Sequence, residues 1–303
     1  MSRHQRALVT GATGFVGSHL VRRLVDDGWH VECVVRPESD CAALPVEAVR
    51  RISDGSTCGL AHIMTRAAPD VVFHLASLFV SEHVPEQVEP LVVSNVLFGA
   101  QLLEAMTLAG VGSLVNTGTA WQHYQGSAYE PVNLYAATKQ ALEAIARYYV
   151  SARGLRMVTL ELTDTYGPDD HRAKLFTLLR RASIRGERLV MSAGEQLIDL
   201  VYVDDVVEAF LLAAETVTEA PSQFMQSFTV SGDAPLSLRA LVERYASVTD
   251  RRIDVDWGGR PYRQREVMTP PTCTPRIGAW RPCVGLDEGI RRMERLSQDE
   301  LGR

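Results

Sequence analysis

The sequence shows no excess of basic charge, no paired-cysteine motif and no evident apolar run of membrane length, and each shortage argues against a class of function. Lys plus Arg number 31 against 37 Asp plus Glu, a formal charge of -6, so nothing in the balance favours a phosphate polymer as the main partner. No nucleic acid partner is expected. No apolar run approaches the roughly 18 to 20 residues that a membrane span needs, so no membrane partner is expected either. The five cysteines, Cys33, Cys41, Cys58, Cys273 and Cys283, lack CxxC or metal-like spacing. They read as reduced thiols, with no metal site. Met1 to Arg6 lacks the apolar stretch of a signal peptide. A cytoplasmic location is the expectation, and there is no repeat or low-complexity tract.

What is present is ordinary globular composition: 303 residues, 46% hydrophobic and 22% charged, ample for about two domains and a large core. Short apolar runs at Ala7 to Thr10, Val31 to Val35, Val71 to Leu75, Leu114 to Asn116 and Val158 to Leu162 alternate with amphipathic stretches. The main helical stretches are Gly17 to Asp27, Val92 to Ala109 and Tyr135 to Ser151. Alternation of this kind predicts an α/β fold, a Rossmann-type doubly wound parallel sheet. Past Gly167-Pro168 the texture changes to a basic stretch from Arg172 to Arg185, short strands at Leu189 to Met191 and Leu200 to Val203, and many prolines. We therefore expect a dinucleotide-binding domain over 1–166 with a returning segment at about 199–220. A smaller α/β substrate domain is expected over about 167–198 and 221–303.

Thr10-Gly11-Ala12-Thr13-Gly14-Phe15-Val16-Gly17 sits between the first strand and the first helix. Gly11 permits a tight turn, Gly14 lets the backbone approach a pyrophosphate, Gly17 allows close packing, and the helix N-terminus offers N–H groups to an anion. Tyr135-Ala136-Ala137-Thr138-Lys139 begins a later helix, so the phenol and the ammonium share one face. A phenol with an ordinary pKa near 10 needs a nearby cation before it can exchange protons at neutral pH. Lys139 is expected to lower it.

The GxxGxxG cradle with YxxxK resembles the extended short-chain dehydrogenase/reductase superfamily of sugar-nucleotide epimerases and dehydratases. That resemblance implies an NAD(P)-dependent oxidoreductase, a nicotinamide cofactor contacted by Gly11, Thr13, Gly14, Phe15, Val16, Gly17, Leu75, Ala76, Ser77, Asn95 and Thr117, and a nucleotide-sugar substrate. It implies a third catalytic hydroxyl at Thr119, with Thr117 as the fallback, a donor to the substrate carbonyl. Asp54 corresponds to an acid reaching the adenine, and His74 to a packed strand-end residue. The second strand ends Val34-Val35-Arg36-Pro37 with no acid at its tip, and Arg36 is placed to pair with a 2'-phosphate. The cofactor expected is NADPH/NADP in preference to NAD.

Dehydratases of the superfamily carry Asp-Glu after the catalytic threonine, and Ala120-Trp121 stands here instead. Islands such as Asn116 to Tyr124, Pro131 to Tyr135, Tyr166 to Arg172 and Ser192 to Gln196 resemble the CDP-abequose and CDP-paratose synthase group. The resemblance implies a 4-ketoreductase of nucleotide-linked 4-keto-6-deoxyhexoses in deoxysugar biosynthesis. An NAD-dependent sugar-nucleotide epimerase is the alternative, and a non-catalytic NADP sensor a remote one. Trp121, Gln122 and His123 are expected to line the sugar pocket, although His123 also reads as a solvated loop residue or a second acid–base group. Asp164 stands where many relatives have Asn, and Ile198 where they have Arg. Lys174 and Arg263 remain as cations for the substrate diphosphate, with Arg260 and Arg265 as competitors. The resemblance also implies a homodimer through the tyrosine-bearing helix and its neighbour.

Overall fold

In the computed structural model, which describes residues 5–301 apart from 233 and 272, seven parallel strands form one sheet in the order β11-β6-β5-β4-β1-β2-β3. Residues 1–4, where a leader was sought, lie outside the described ones. The first half alternates β1 (Arg6–Thr10), α1 (Phe15–Asp26), β2 (His30–Val35), β3 (Val49–Ile52), α2 (Thr57–Ala67) and β4 (Val71–His74). A helical run follows, comprising α3 (Val88–Val92), a π-helical turn (Val93–Leu97) and α4 (Phe98–Ala109), then β5 (Ser113–Thr119), α5 (Leu134–Arg153) and β6 (Arg156–Leu162). The five expected strands lie within one to three residues of these bounds. The edge strand β3 has no apolar signature, because its side chains alternate between half-buried and exposed over Val-Arg-Arg-Ile.

One face of the sheet is covered by α1 and by α7 (Val203–Glu219), with Leu20, Val21, Leu24, Val206, Phe210 and Val217 packed on β1, β2 and β6. The other face carries α2, α4 and α5 through Leu60, Met64, Leu102, Met106, Leu142 and Ala146. Such two-sided cover explains why the inner strands read as continuous apolar runs. The reversal of strand order between β1 and β4 opens a crevice at the strands' C-terminal ends. The helical run Pro85–Ala109 is, by length and composition alone, long and apolar enough to cross a membrane. This corrects the expectation that no apolar run approaches that length. Here its inner stripe, including Leu91, Leu102, Leu103 and Met106, is buried, while Val88, Val92, Val93 and Leu97 are exposed.

After β6 the chain forms the second core. It runs through β7 (Asp164–Tyr166), α6 (Leu175–Arg185), β8 (Leu189–Met191), β9 (Leu197–Ile198) and β10 (Leu200–Tyr202) before α7. It then crosses back as β11 (Met225–Val230), β12 (Leu236–Ser237), α8 (Leu238–Thr249), β13 (Val255–Trp257) and α9 (Leu286–Leu301). Tyr166, Phe176, Leu179, Tyr202, Leu238, Tyr245 and Ile290 form its apolar centre. The boundary drawn at 221 is corrected: β11 pairs with β6 in parallel from Met225↔Met157 to Val230↔Leu162, so this stretch completes the large sheet. Asp205 in the first turn of α7 anchors the C-terminal segment by accepting from the N–H groups of Cys283 (3.0 Å) and Val284 (2.9 Å).

Candidate active site

The loop between β1 and α1 turns at Gly11, whose φ of +72° is one that L side chains rarely adopt. A Cβ there would stand 2.6 Å from the Leu75 carbonyl carbon and collide with the Ala76 amide, so glycine lets the loop lie against the end of β4. Ala76 N–H donates to Thr10 Oγ1 at 3.3 Å and locks the two together. Gly17 packs as closely against the Gly11 carbonyl. The first turn of α1 has no side-chain cap, which leaves its N–H groups to a ligand. A cradle without Cβ atoms beside uncapped donors fits a dinucleotide's pyrophosphate.

Thr119 is the last residue of β5, and Asn133 caps α5 by accepting from Ala136 N–H at 2.9 Å, which sets Tyr135 and Lys139 on the turn facing the crevice. The two threonines differ in what they hold. Thr117 donates its hydroxyl to the His74 carbonyl at 2.9 Å, whereas Thr119 accepts from Trp121 N–H at 3.3 Å. Among the described residues, the Thr119 hydroxyl proton therefore remains available to a ligand. The Lys139 ammonium lies 5.8 Å from the Tyr135 ring centroid. Burial pushes Tyr135 up to about 12, against the Ser77 hydroxyl and the Arg172 charge, and burial pushes Lys139 down to about 8. In the free protein the phenol is therefore raised, not lowered, because desolvation outweighs the Ser77 hydrogen bond and the Arg172 charge.

These groups line a cavity of about 240 Å³ with Gly11, Gly14, Phe15, Val16, Gly17, Leu75 and Ser77. It opens into a larger one of about 410 Å³, and Phe79, Trp121, Asp164 and Lys174 border both. The chain contains two lysines, and both face the smaller cavity. Lys174 stands just before the first turn of α6, its ammonium 3.2 Å from Asp164 Oδ1 and 4.3 Å from the Phe79 ring centroid. Arg263 and Arg260 border the larger cavity, the first 5.8 Å from the Trp121 ring and the second paired with Glu82 at 3.3 Å. Arg265 instead pairs with Glu130 at 2.6 Å and stands outside both cavities.

Several expected site residues stand elsewhere. Gln122 and His123 do not line the pocket: both are buried beneath it, at 0% and 6% exposure, because the turn after Thr119 folds back onto α5 and β6. Asn95 is also buried. Its amide accepts from Leu78 N–H (2.7 Å) and Ser77 (3.2 Å) and donates to the Leu78 carbonyl (3.0 Å) and Thr138 (2.9 Å), so its hydrogen-bonding capacity is spent on shaping the loop after β4. Arg36 projects into solvent past β2 beside Glu38 at 3.2 Å, and Thr13 is exposed on the loop rim. The exposed Asp54 carboxylate, past β3, accepts from Ser56 N–H and Oγ, which hold it below the usual carboxylate range. His74 is packed as expected, its Nδ1 2.8 Å from Thr10 Oγ1, and burial pushes it down to about 3. Sequence reasoning missed Phe79 and Arg172. Phe79 packs edge-on against Tyr135 with ring centroids 5.0 Å apart, and Arg172 lies 4.5 Å from the Phe15 ring centroid. Only their place in strand-end loops could have pointed to them.

Residues 7–225 match the model of the NAD dependent epimerase/dehydratase family. The CDP-abequose synthase of Yersinia pseudotuberculosis is 25% identical over 267 residues, covering 88% of this chain and 91% of that protein. The UDP-glucose 4-epimerase of Mycolicibacterium smegmatis is 29% identical over 310 residues, covering 95% and 96%. Among solved structures, the Thermus thermophilus UDP-glucose 4-epimerase in complex with NAD superposes with a TM-score of 0.82 at 25% identity, covering 97% of this chain and 99% of that one. The matched model spans most of the chain, the sheet has the order of a dinucleotide-binding fold and the glycine cradle faces a Tyr/Lys pair, so this protein is a member of the NAD dependent epimerase/dehydratase family, an oxidoreductase of the extended short-chain dehydrogenase/reductase type.

Proposed function

We propose that the protein is an NADPH-dependent ketoreductase that reduces the 4-keto group of a nucleotide-linked 4-keto-6-deoxyhexose. The carrying observation is one cavity in which the glycine cradle, Thr119, Tyr135, Lys139 and Lys174 meet. When bound, the dinucleotide supplies hydride chemistry. The chain's own residues do the rest. Thr119 donates a hydrogen bond to the sugar oxygen as negative charge gathers there, Tyr135 hands that oxygen its proton, and Lys139 offsets the charge left on the phenol. Lys174, Arg263 and Arg260 border the space where a diphosphate would lie. The half-exposed aromatic wall of Phe79 and Trp121 suits a sugar that has lost hydroxyl groups.

The Ala120-Trp121 pair supplies no carboxylate for water elimination, which favours reduction over dehydration. The absence of an acid at the end of β2, with Arg36 following it in solvent where a 2'-phosphate could compete with Glu38 for its guanidinium, supports NADP. A second reading, an epimerase that retains NAD, draws on the relatives named for that activity. The two are separated by incubating the protein with NADPH or NADH and a panel of 4-keto-6-deoxy sugar nucleotides. Loss of reduced cofactor with a new alcohol supports the reductase, and no net consumption with oxidised cofactor carried through purification refutes it. A Tyr135→Phe variant with near-normal turnover would refute the assigned proton donor. The exposed stripe Val88, Val92, Val93 and Leu97, with Tyr148 exposed on α5, supports a homodimer. Sedimentation of a Val92→Glu/Leu97→Glu variant tests it, and an unchanged mass would refute it.

A further inference from the structure

Beneath the turn that carries Thr119 lies a buried cluster of ionisable groups that the reaction just described does not use. Gly118 faces Glu161 across the β5–β6 pair. A Cβ at Gly118 would come within 2.8 Å of Thr159, 3.0 Å of Gln122 Oε1 and 3.2 Å of the Glu161 stem. Only glycine leaves room for the cluster to close. Gln122 accepts from Thr119 N–H at 3.0 Å and donates to Glu143 Oε1 at 2.9 Å and to Gln140 Oε1 at 2.8 Å. Glu143 stands one turn beyond Lys139 on α5. From the other side, His123 Nε2 lies 3.1 Å from Glu161 Oε1, and the Thr274 hydroxyl donates to Glu161 Oε2 at 2.9 Å.

Two carboxylates, Glu143 and Glu161 at 7% and 2% exposure, therefore lie in one buried cluster with the His123 imidazole, and Glu143 stands one helical turn from Lys139. Anions this deeply buried stay ionised only when each has a cationic or donor partner. Gln122 satisfies Glu143 with a hydrogen bond but brings no charge. We infer that His123, by pairing with Glu161, keeps Glu143 ionised beside Lys139, so that His123, Glu161 and Glu143 are positioning residues for the Tyr135–Lys139 pair. This rests on the reading of that pair as the proton-transfer machinery. The titration directions agree. Burial pushes Glu143 up on balance, with the Glu161 charge adding to it, while the Gln122 hydrogen bond, His123 and Lys139 pull it back down, so its charge depends on these partners; Glu161 in turn raises His123. Burial lowers Lys139 while Glu143 raises it. The other titratable groups nearby are His74, which the Lys139 charge helps keep neutral, and Cys273, raised by burial and by Glu161.

The two-lysine composition makes the test direct. Lysine labelled with ¹³C at Cε gives two signals in the full-length protein, and a Lys174→Arg variant assigns the one from Lys139. In His123→Gln, Glu161 is left without its cation, Glu143 takes up a proton, and the Lys139 midpoint falls by about one pH unit. Adding Glu161→Gln removes the stranded anion and returns the midpoint to within a few tenths of the wild-type value, a rescue that mere repacking would not produce. With NADPH and the ketosugar panel, the alkaline limb of kcat moves down in the single variant and back in the double. An unmoved Lys139 midpoint in His123→Gln, or a shift that the second substitution does not reverse, overturns the inference. Should His123→Gln fail to fold, the histidine spectrum of Glu161→Gln decides: a His123 midpoint equal to wild type overturns the pairing, and a lowered one supports it. The lysine titration needs no substrate, so a protein inert towards every ketosugar would refute the proposed reaction while this inference is still decided.

Discussion

Replacing Lys139 by Met is expected to make the protein more stable and inactive at the same time. Lys139 is 2% exposed, and burial brings its ammonium from the ordinary 10.5 down to about 8. At about 1.36 kcal/mol per pH unit, holding the charged form inside the fold costs about 3 kcal/mol at pH 7. Methionine fills similar volume without that cost, although Glu143 then loses the ammonium beside it, so a net gain of about 1 to 3 kcal/mol is expected. The sign fixes the pH window. The unfolded chain binds the extra proton between about 8 and 10.5, so wild-type stability gains on the variant as pH rises through that interval. The difference should be largest below pH 8 and gone above 10.5. Urea unfolding of both proteins across this range measures it. A gap that is constant with pH, or a variant less stable than wild type at pH 7, would show that the ammonium is not under desolvation strain.

The remaining expectations concern single groups of the site. Thr119→Val should lower kcat by roughly 100-fold, since the hydroxyl left free by its neighbours is lost, while Thr117→Val, whose hydroxyl is spent on the His74 carbonyl, should cost far less; equal losses in steady-state assays would undo the distinction. Gly11→Ala forces a side chain into φ +72° and against the Ala76 amide, and should destabilise by about 1 to 3 kcal/mol with loss of dinucleotide binding by calorimetry. Arg36→Ala should raise the KM for NADPH by roughly tenfold or more and leave that for NADH unchanged, because only the 2'-phosphate needs the guanidinium; an unaltered ratio would refute NADP preference.

Much of the scaffold was legible along the chain. Buried parallel strands must be apolar on both faces and helices on one, so β1, β2, β4, β5 and β6 announced themselves within a few residues, as did the glycine turn and the Tyr/Lys helix. These signals are local, because propensity, periodicity and an uncapped glycine turn act over only a few neighbouring residues. The edge strand β3 and the returning strand β11 were silent. The former alternates half-buried and exposed residues, and the latter gains its place only by pairing with β6.

The division of labour around the site was likewise decided by packing. Gln122 and His123 follow Thr119 closely in sequence and Asn95 was implied by the family resemblance, and each was expected to touch a ligand. The fold buries all three and spends their hydrogen bonds on Thr119, Glu161 and the loop after β4. Side-chain direction at the end of a strand depends on which neighbours close over it, and those neighbours come from β6, α5 and the segment near Thr274, far away along the chain. For the same reason burial, a property of the assembled core, and not the spacing of Tyr135 and Lys139, sets their proton affinities in the free protein.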